Sequence, residues 1–189
     1  MKKIILSAII IASFTLATKA QTGSILVYGN VGISSISNGS NPKITQATFN
    51  PAVGYQFNNN WTTGLSFAYT DYNSNYNSQS FSVSPFIRYA ATISPIFSVY
   101  GQFQAGYLHS SVSDNIGGGK SNGFDAQLFP AVFINVKNGF GLNFSFGGLE
   151  YNSQKPSGGG SATNNFSLTF GSGASFGISK NFGGKKSHS

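Results

Sequence analysis

From Trp61 onward the chain alternates without a break. Trp61, Thr63, Leu65, Phe67 and Tyr69 fall on one side, and Thr62, Gly64, Ser66, Ala68 and Thr70 on the other. A period of two predicts a β-strand with one apolar face. The same pattern recurs along the chain. It predicts strands at about Ser24–Ser35, Ile44–Phe57, the Trp61 segment, Ser80–Ala91, Phe97–Ser110, Phe124–Val136, Phe140–Glu150 and Asn165–Phe182. In the sixth the centre, Leu128–Ile134, is almost entirely apolar. Its phase therefore rests on the flanks, which put Phe124, Ala126, Leu128, Val132, Ile134 and Val136 together. The connections alternate in length. Asn58–Asn60, Thr92–Ile96 and Lys137–Gly139 are tight, whereas Ile36–Lys43, Asp71–Gln79, Val112–Gly123 and Tyr151–Thr163 are long and rich in Asn, Ser and Gly. Eight strands joined in this way predict an up-and-down meander with both termini on the short-turn side.

Alternation does not say which face is inside, since a soluble sandwich alternates too. Composition separates the two. Charged residues make up 8% of the chain, against roughly 25% in soluble domains. The face opposite the apolar one carries Gly, Ser, Ala, Thr and Gln in place of Lys and Glu, which suits a narrow interior. Aromatic residues gather near strand ends. Tyr55, Phe57, Trp61, Tyr89, Phe97, Phe140 and Phe182 lie by the short turns; Tyr69, Phe81, Tyr107, Phe124, Phe146 and Phe166 lie by the long loops. Two girdles around an apolar band mark a barrel in lipid. Backbone groups cannot stay open in hydrocarbon, so the sheet must close. The expected fold is all-β, an eight-stranded antiparallel up-and-down transmembrane β-barrel.

The first residues, MKKIILSAIIIASFTLATKAQ, have a charged start at Lys2 and Lys3, then an apolar run from Ile4 to Leu16. Thr18 and Ala20 form a small-residue cleavage site. This is the pattern of a secretory signal peptide, and the run is too short for a spanning helix. Residues 1–20 are thus read as a signal peptide, 21–182 as the barrel and 183–189 as a short periplasmic tail. The formal charge of +7 falls to +4 once the leader is removed. The remaining basic residues are scattered, with no nucleic-acid footprint. The chain has no cysteine, so neither a disulfide nor a lipoprotein anchor is expected.

Three prolines repeat one pattern. FNPAVGY (Pro51), VSPFIRY (Pro85) and LFPAVFI (Pro130) lie on strands two, four and six, about eight residues before a short turn. Proline has no N–H for a ladder, so bulges that help curve the wall are the expected reading. A binding belt for lipid or a partner is the other.

The leader, the segments PAVGYQFNNNWTTGLSF and SPFIRY, and the last strand FSLTFGSGASFGISKNF resemble the small eight-stranded outer-membrane β-barrel proteins, those similar to OmpX and to the OmpA transmembrane domain. The resemblance covers essentially the whole mature chain. It implies a bacterial outer-membrane location with both termini periplasmic, outer-membrane lipids and lipopolysaccharide as surroundings, and no cofactor. It also implies that the barrel-assembly machinery reads a terminal strand here carrying Phe176, Ile178 and Phe182. The tail after Phe182 departs from the family, whose signal usually ends the chain. This fold class hosts unrelated activities, so the resemblance names no function.

Chemistry is sparse. His109 in LHSSVSD has Ser111 on its side of strand five, an arrangement similar to the His-x-Ser of lipid A deacylases. Glu150, read as outward at the same rim, lies two strands away, beyond the reach such a site needs. His188 falls in the tail. Arg88 is the most informative charge. It is read as facing the lumen with Tyr100 opposite and Gln102 close. Intramembrane charges are usually paired or hydrated inside. Arg88, Tyr100, Gln102 and Gln56 would form a hydrogen-bonded plug, helped by inward Phe86, Phe129 and Phe133; the alternative is an anion-preferring constriction. Lys43, Lys120 and Lys155 place isolated charges in loops, where solvation is the default. The expectation is a monomeric, non-enzymatic barrel with a filled lumen, structural or binding an unidentified extracellular ligand through its loops. A narrow porin-like channel and a lipid-modifying enzyme are the alternatives.

Overall fold

Strand β1 (Ser24–Ile36) starts a meander in which every strand pairs antiparallel with the next. It continues through β2 (Ile44–Gln56), β3 (Trp61–Asn73), β4 (Asn77–Ser94), β5 (Phe97–Ser113), β6 (Gly118–Lys137), β7 (Phe140–Pro156) and β8 (Thr163–Phe182), and β8 closes on β1. The structure is a computed structural model that describes residues 23–36, 44–74, 77–113 and 118–183. The leader, Lys43, and the tail apart from Gly183 lie outside the described residues.

The fold is a closed eight-stranded antiparallel barrel, turned inside out relative to a soluble domain. Val27, Val53, Leu65, Ile87, Phe103 and Leu128 face outward and are exposed. Inside, Leu26, Ala52, Phe86, Tyr100 and Ala131 are buried together with Ser84, Arg88, Gln102, Asp125, Asn143 and Ser179. The expected phase of the sixth strand holds, since Phe124, Leu128 and Val136 are exposed while Asp125 and Ala131 are buried.

The short turns have identifiable causes. Asn58 Oδ1 accepts from the N–H groups of Asn60 and Trp61, both at 2.8 Å, and so closes the β2–β3 turn. Asn138 and Gly139, at φ 51° and 76°, form the β6–β7 turn. Two positive φ values in a two-residue Asn-Gly loop match the twist of the strands it joins.

On the other side the strands run further than composition suggests. Gly118–Gly123 and Tyr151–Pro156, expected in loops, belong to β6 and β7 and pair with neighbours there. Asn, Ser and Gly look like loop residues, but a ladder already in register extends through them outside the apolar band.

Two irregularities set the shape. Between Leu128 and Ala131 of β6, strand β7 carries one extra residue, between Leu149 and Ser145. Gly147 takes φ 102° there. Against β8 the register also shifts, with Ser145 opposite Ser175 but Gly147 opposite Phe170. At this level the closing seam stops. The β1–β8 ladder runs only from Ile25–Phe182 to Gly29–Ile178. Beyond it, Val31, Ile33 and Phe170 are 74%, 84% and 74% exposed, against 43% for Leu65 in mid-wall.

The three prolines all face outward, where Pro51 lies opposite Gly29, Pro85 opposite Leu65 and Pro130 opposite Gly101. Each coincides with a gap in the ladder toward the following strand. The gaps at Pro51 and Pro85 leave the register unchanged, and only Pro130 lies beside a register shift. The expected bulge is therefore confined to Pro130. A missing N–H removes one ladder bond but does not require an inserted residue.

Candidate functional site

The chemistry of the described residues converges on one layer across the lumen. Phe86 and Arg88 point inward from β4, Tyr100, Gln102 and Gln104 from β5, and Tyr28 from β1. Arg88 lies directly opposite Gln102, and Tyr100 lies opposite Ala90. The expected order, with Tyr100 opposite Arg88, is thus shifted by two residues. The cause is the position of the turn: β4 runs to Ser94 and β5 starts at Phe97, so the chain reverses at Pro95 and Ile96, further along than the centre of Thr92–Ile96.

Gln102 has no exposed surface and Arg88 is 5% exposed. Both Nε and Nη2 of Arg88 donate to Gln102 Oε1, at 2.9 and 2.7 Å. The guanidinium lies 4.4 Å from the centroid of the Tyr28 ring and 4.0 Å from that of Tyr100. Electron-rich ring faces and an amide oxygen solvate a buried cation.

Arg88 also orients what lies beyond it. Its charge forces the Gln102 oxygen toward it, so the Gln102 amide must donate the other way. It does so to Tyr28 Oη at 2.7 Å and to Gln104 Oε1 at 2.9 Å. Gln104 in turn donates to Gln127 Oε1 at 3.0 Å. Three amide dipoles thus align with their negative ends toward the guanidinium. On the other flank Tyr100 Oη donates to Asn143 Oδ1, and Asn143 donates to Ser179 Oγ at 2.9 Å. This network touches β1, β4, β5, β6, β7 and β8.

Phe86 completes the layer, and glycines admit it. A Cβ on Gly54 would come within 2.8 Å of the Phe86 ring, and one on Gly64 within 2.8 Å of it and 2.1 Å of the Val53 carbonyl oxygen.

The layer separates two cavities of opposite character. On the long-loop side a vestibule of about 360 Å³ is lined by Asp125, Glu150, Gln127 and several Ser and Asn side chains, with no Lys or Arg. Ser84 Oγ donates to Asp125 at 3.3 Å. On the short-turn side a cavity of about 250 Å³ is lined by Arg88 and by polar side chains, with no carboxylate.

Gln56, expected in the plug, lines this lower cavity instead. It accepts from Ser24 Oγ at 3.0 Å and donates to the Asn59 carbonyl at 3.2 Å. Tyr28, Gln104, Gln127 and Asn143 are the members that local reading missed. Parity along each strand marks them as inward. Their meeting is made by barrel closure, which brings Tyr28 to Gln102 across 74 positions.

The candidate deacylase group is not assembled. His109 faces outward with its Nδ1 2.8 Å from Asn122 Oδ1, and Ser111 lies opposite Gln79 and Lys120. Glu150 lies opposite Gln127 and lines the lumen. Its expected outward direction is overturned by the extra residue in β7, which reverses the phase beyond Phe146. No group of three or more His, Asp or Glu suited to a metal occurs among the described residues.

The remaining sites fall on the outer wall. Trp61 pairs with Tyr89 across β3 and β4, with ring centroids 5.0 Å apart, edge to face. Tyr55, Phe97, Phe140 and Phe182 lie toward the same end, and Phe57 lies just past β2 in the turn. At the opposite end Tyr69 faces Phe81 and Tyr107 faces Phe124. Phe176, Ile178 and Phe182 are exposed on the outer face of β8.

No family model matches the chain, and no curated protein matches it in sequence. Solved structures match its fold. Neisserial surface protein A (NspA) aligns with a TM-score of 0.53 at 13% identity, over 86% of this chain and 97% of that one. The translocator domain of the autotransporter NalP from Neisseria meningitidis aligns with a TM-score of 0.50 at 19% identity, over 88% of this chain. The chain spans 66% of that domain. Ail, the attachment invasion locus protein of Yersinia pestis, aligns at 17% identity with a TM-score of 0.46. The architecture is that of the small eight-stranded outer-membrane β-barrels, and at these identities the likeness is one of fold.

Proposed function

We propose that this chain is an integral protein of a bacterial outer membrane, exported with a cleaved leader, whose barrel is closed by its own side chains. Its role is structural or one of surface interaction through the long loops, with no catalysis. The observation that carries the closed lumen is the layer at Arg88, where Gln102, Tyr28, Tyr100 and Phe86 fill the cross-section. An eight-stranded interior is only wide enough for such filling.

An outer wall of exposed Val, Ile, Leu and Phe, with aromatic rings toward both ends, supports lipid as the surroundings. In this reading the lipids and lipopolysaccharide of that membrane contact the wall, both termini are periplasmic, the barrel is a monomer, and the assembly machinery reads Phe176, Ile178 and Phe182.

A narrow porin-like channel is the second reading. The polar cavities on either side of the layer favour it, since only the side chains between them interrupt the path. Conductance in a planar bilayer tests the choice, on protein whose folding is confirmed by heat-modifiable gel mobility. A silent bilayer is expected for the wild type. Steady conductance whose ion selectivity changes in Arg88→Ala overturns the closed barrel and establishes the channel.

A further inference from the structure

We infer that the cavity on the short-turn side of the Arg88 layer binds a small inorganic anion, of halide to phosphate size. The inference concerns a site inside the lumen and goes beyond the closed-barrel reading.

Arg88 is buried, and a guanidinium is a cation in proteins. Its described partners are one amide oxygen and three aromatic rings, those of Tyr28, Tyr100 and, further off, Phe86. None of them carries a negative charge that neutralises it. A guanidinium has five N–H donors, and Nη1 makes no hydrogen bond with a described residue. The acids of the lumen, Asp125 and Glu150, line the vestibule on the far side of the glutamine chain. None of the described residues lining the cavity at Arg88 is an acid. An anion that enters from the short-turn end would supply the charge balance that no described residue on this side gives.

A second observation points to the same space. Asn135 Oδ1 and Asn181 Oδ1 are buried and have no hydrogen-bond partner, and both residues line this cavity. Buried polar atoms left open call for an explanation, and an unplaced ion or water is one. With each Oδ1 as the shut-in end of its amide, the N–H2 end is the one left to donate to an anion in the cavity that both residues line. Thr62 adds a hydroxyl to the lining. Positive charge, amide donors and a space of about 250 Å³ together specify an anion rather than a cation or an apolar guest.

The test uses the folded full-length barrel in detergent, with sodium bromide and inorganic phosphate as probes. Sodium gluconate at the same sodium concentration and ionic strength is the reference, its anion being larger than the halide- to phosphate-sized guest inferred. The unfolding midpoint is read as loss of the compact gel band. Bromide and phosphate are expected to raise the midpoint of the wild type and of Arg88→Lys above the gluconate value, since a ligand bound to the native state stabilises it. They are expected to leave Arg88→Gln unmoved. Crystals grown in bromide are expected to show an anomalous peak within hydrogen-bond reach of the Arg88 guanidinium. Should Arg88→Gln fail to fold, Asn181→Leu, which keeps the charge and replaces an amide in the lining by an apolar group of the same shape, is expected to lose at least half of the shift. Equal midpoints in gluconate, bromide and phosphate for the wild type overturn the site. So do a shift shared equally by the charge or cavity variant, and bromide peaks found only elsewhere.

Discussion

Arg88 makes sense residue by residue only with Gln102. One oxygen takes two guanidinium hydrogens, and the same side chain passes hydrogen bonds to Tyr28 and Gln104. Gln102→Leu keeps most of the volume and removes every one of these bonds. Hydrogen bonds to charged groups are worth roughly 1.5–3 kcal/mol, so a loss of at least that size is expected in urea unfolding from detergent. An unchanged midpoint would show that water replaces the amide without cost. Gly64 offers an opposite test, by overfilling. A Cβ there meets the Val53 carbonyl oxygen at 2.1 Å and the Phe86 ring at 2.8 Å. The backbone must shift, and overpacking typically costs about 1–3 kcal/mol. Gly64→Ala is expected to destabilise by that amount, and pairing it with Phe86→Ala should recover only the part due to the ring.

Among the elements, β7 and the β1–β8 seam depart from regularity. The extra residue in β7 turns Glu150 into the lumen, and the seam ladder ends at Gly29 and Ile178. An unpaired strand edge exposes N–H groups. In hydrogen exchange of the folded protein in detergent, the β8-facing amides of β1 between Asn30 and Ser35 are expected to exchange faster than its β2-facing amides. Equal protection on both edges would mean that the seam is paired along its whole length in solution. The prolines call for a different expectation from the one composition suggests. Pro51 and Pro85 interrupt one bond each without changing the register. Pro51→Val and Pro85→Val are therefore expected to fold in undiminished yield, whereas Pro130→Val, beside a true register shift, is expected to fold less well. A uniform loss across all three would restore a shared role in curving the wall.

At the scale of the whole molecule, period-two alternation was enough to read eight strands, their faces and an apolar exterior. A strand is a local object, and its inward and outward sets are visible in any ten residues of it. Parity likewise marked Arg88, Gln102 and Tyr100 as inward before any partner was known. The ends of the long-loop strands were not legible, because Asn, Ser and Gly in a ladder read the same as Asn, Ser and Gly in a loop. The side of Glu150 was not legible either, since one extra residue reverses every side chain after it. Local reading brought Arg88, Gln102 and Tyr100 together through one hairpin but gave neither their order nor the partners from distant strands. Register at a turn decides whether Tyr100 or Gln102 lies opposite Arg88, and closure of the barrel decides that Tyr28 reaches them both. The sequence by itself determined the strands, the polarity of their two faces and the class of fold, because each follows from local alternation and composition. The full membership of the plug, the acidic vestibule above it and the cationic cavity below came only with the fold, because closure brings together strands far apart in the chain.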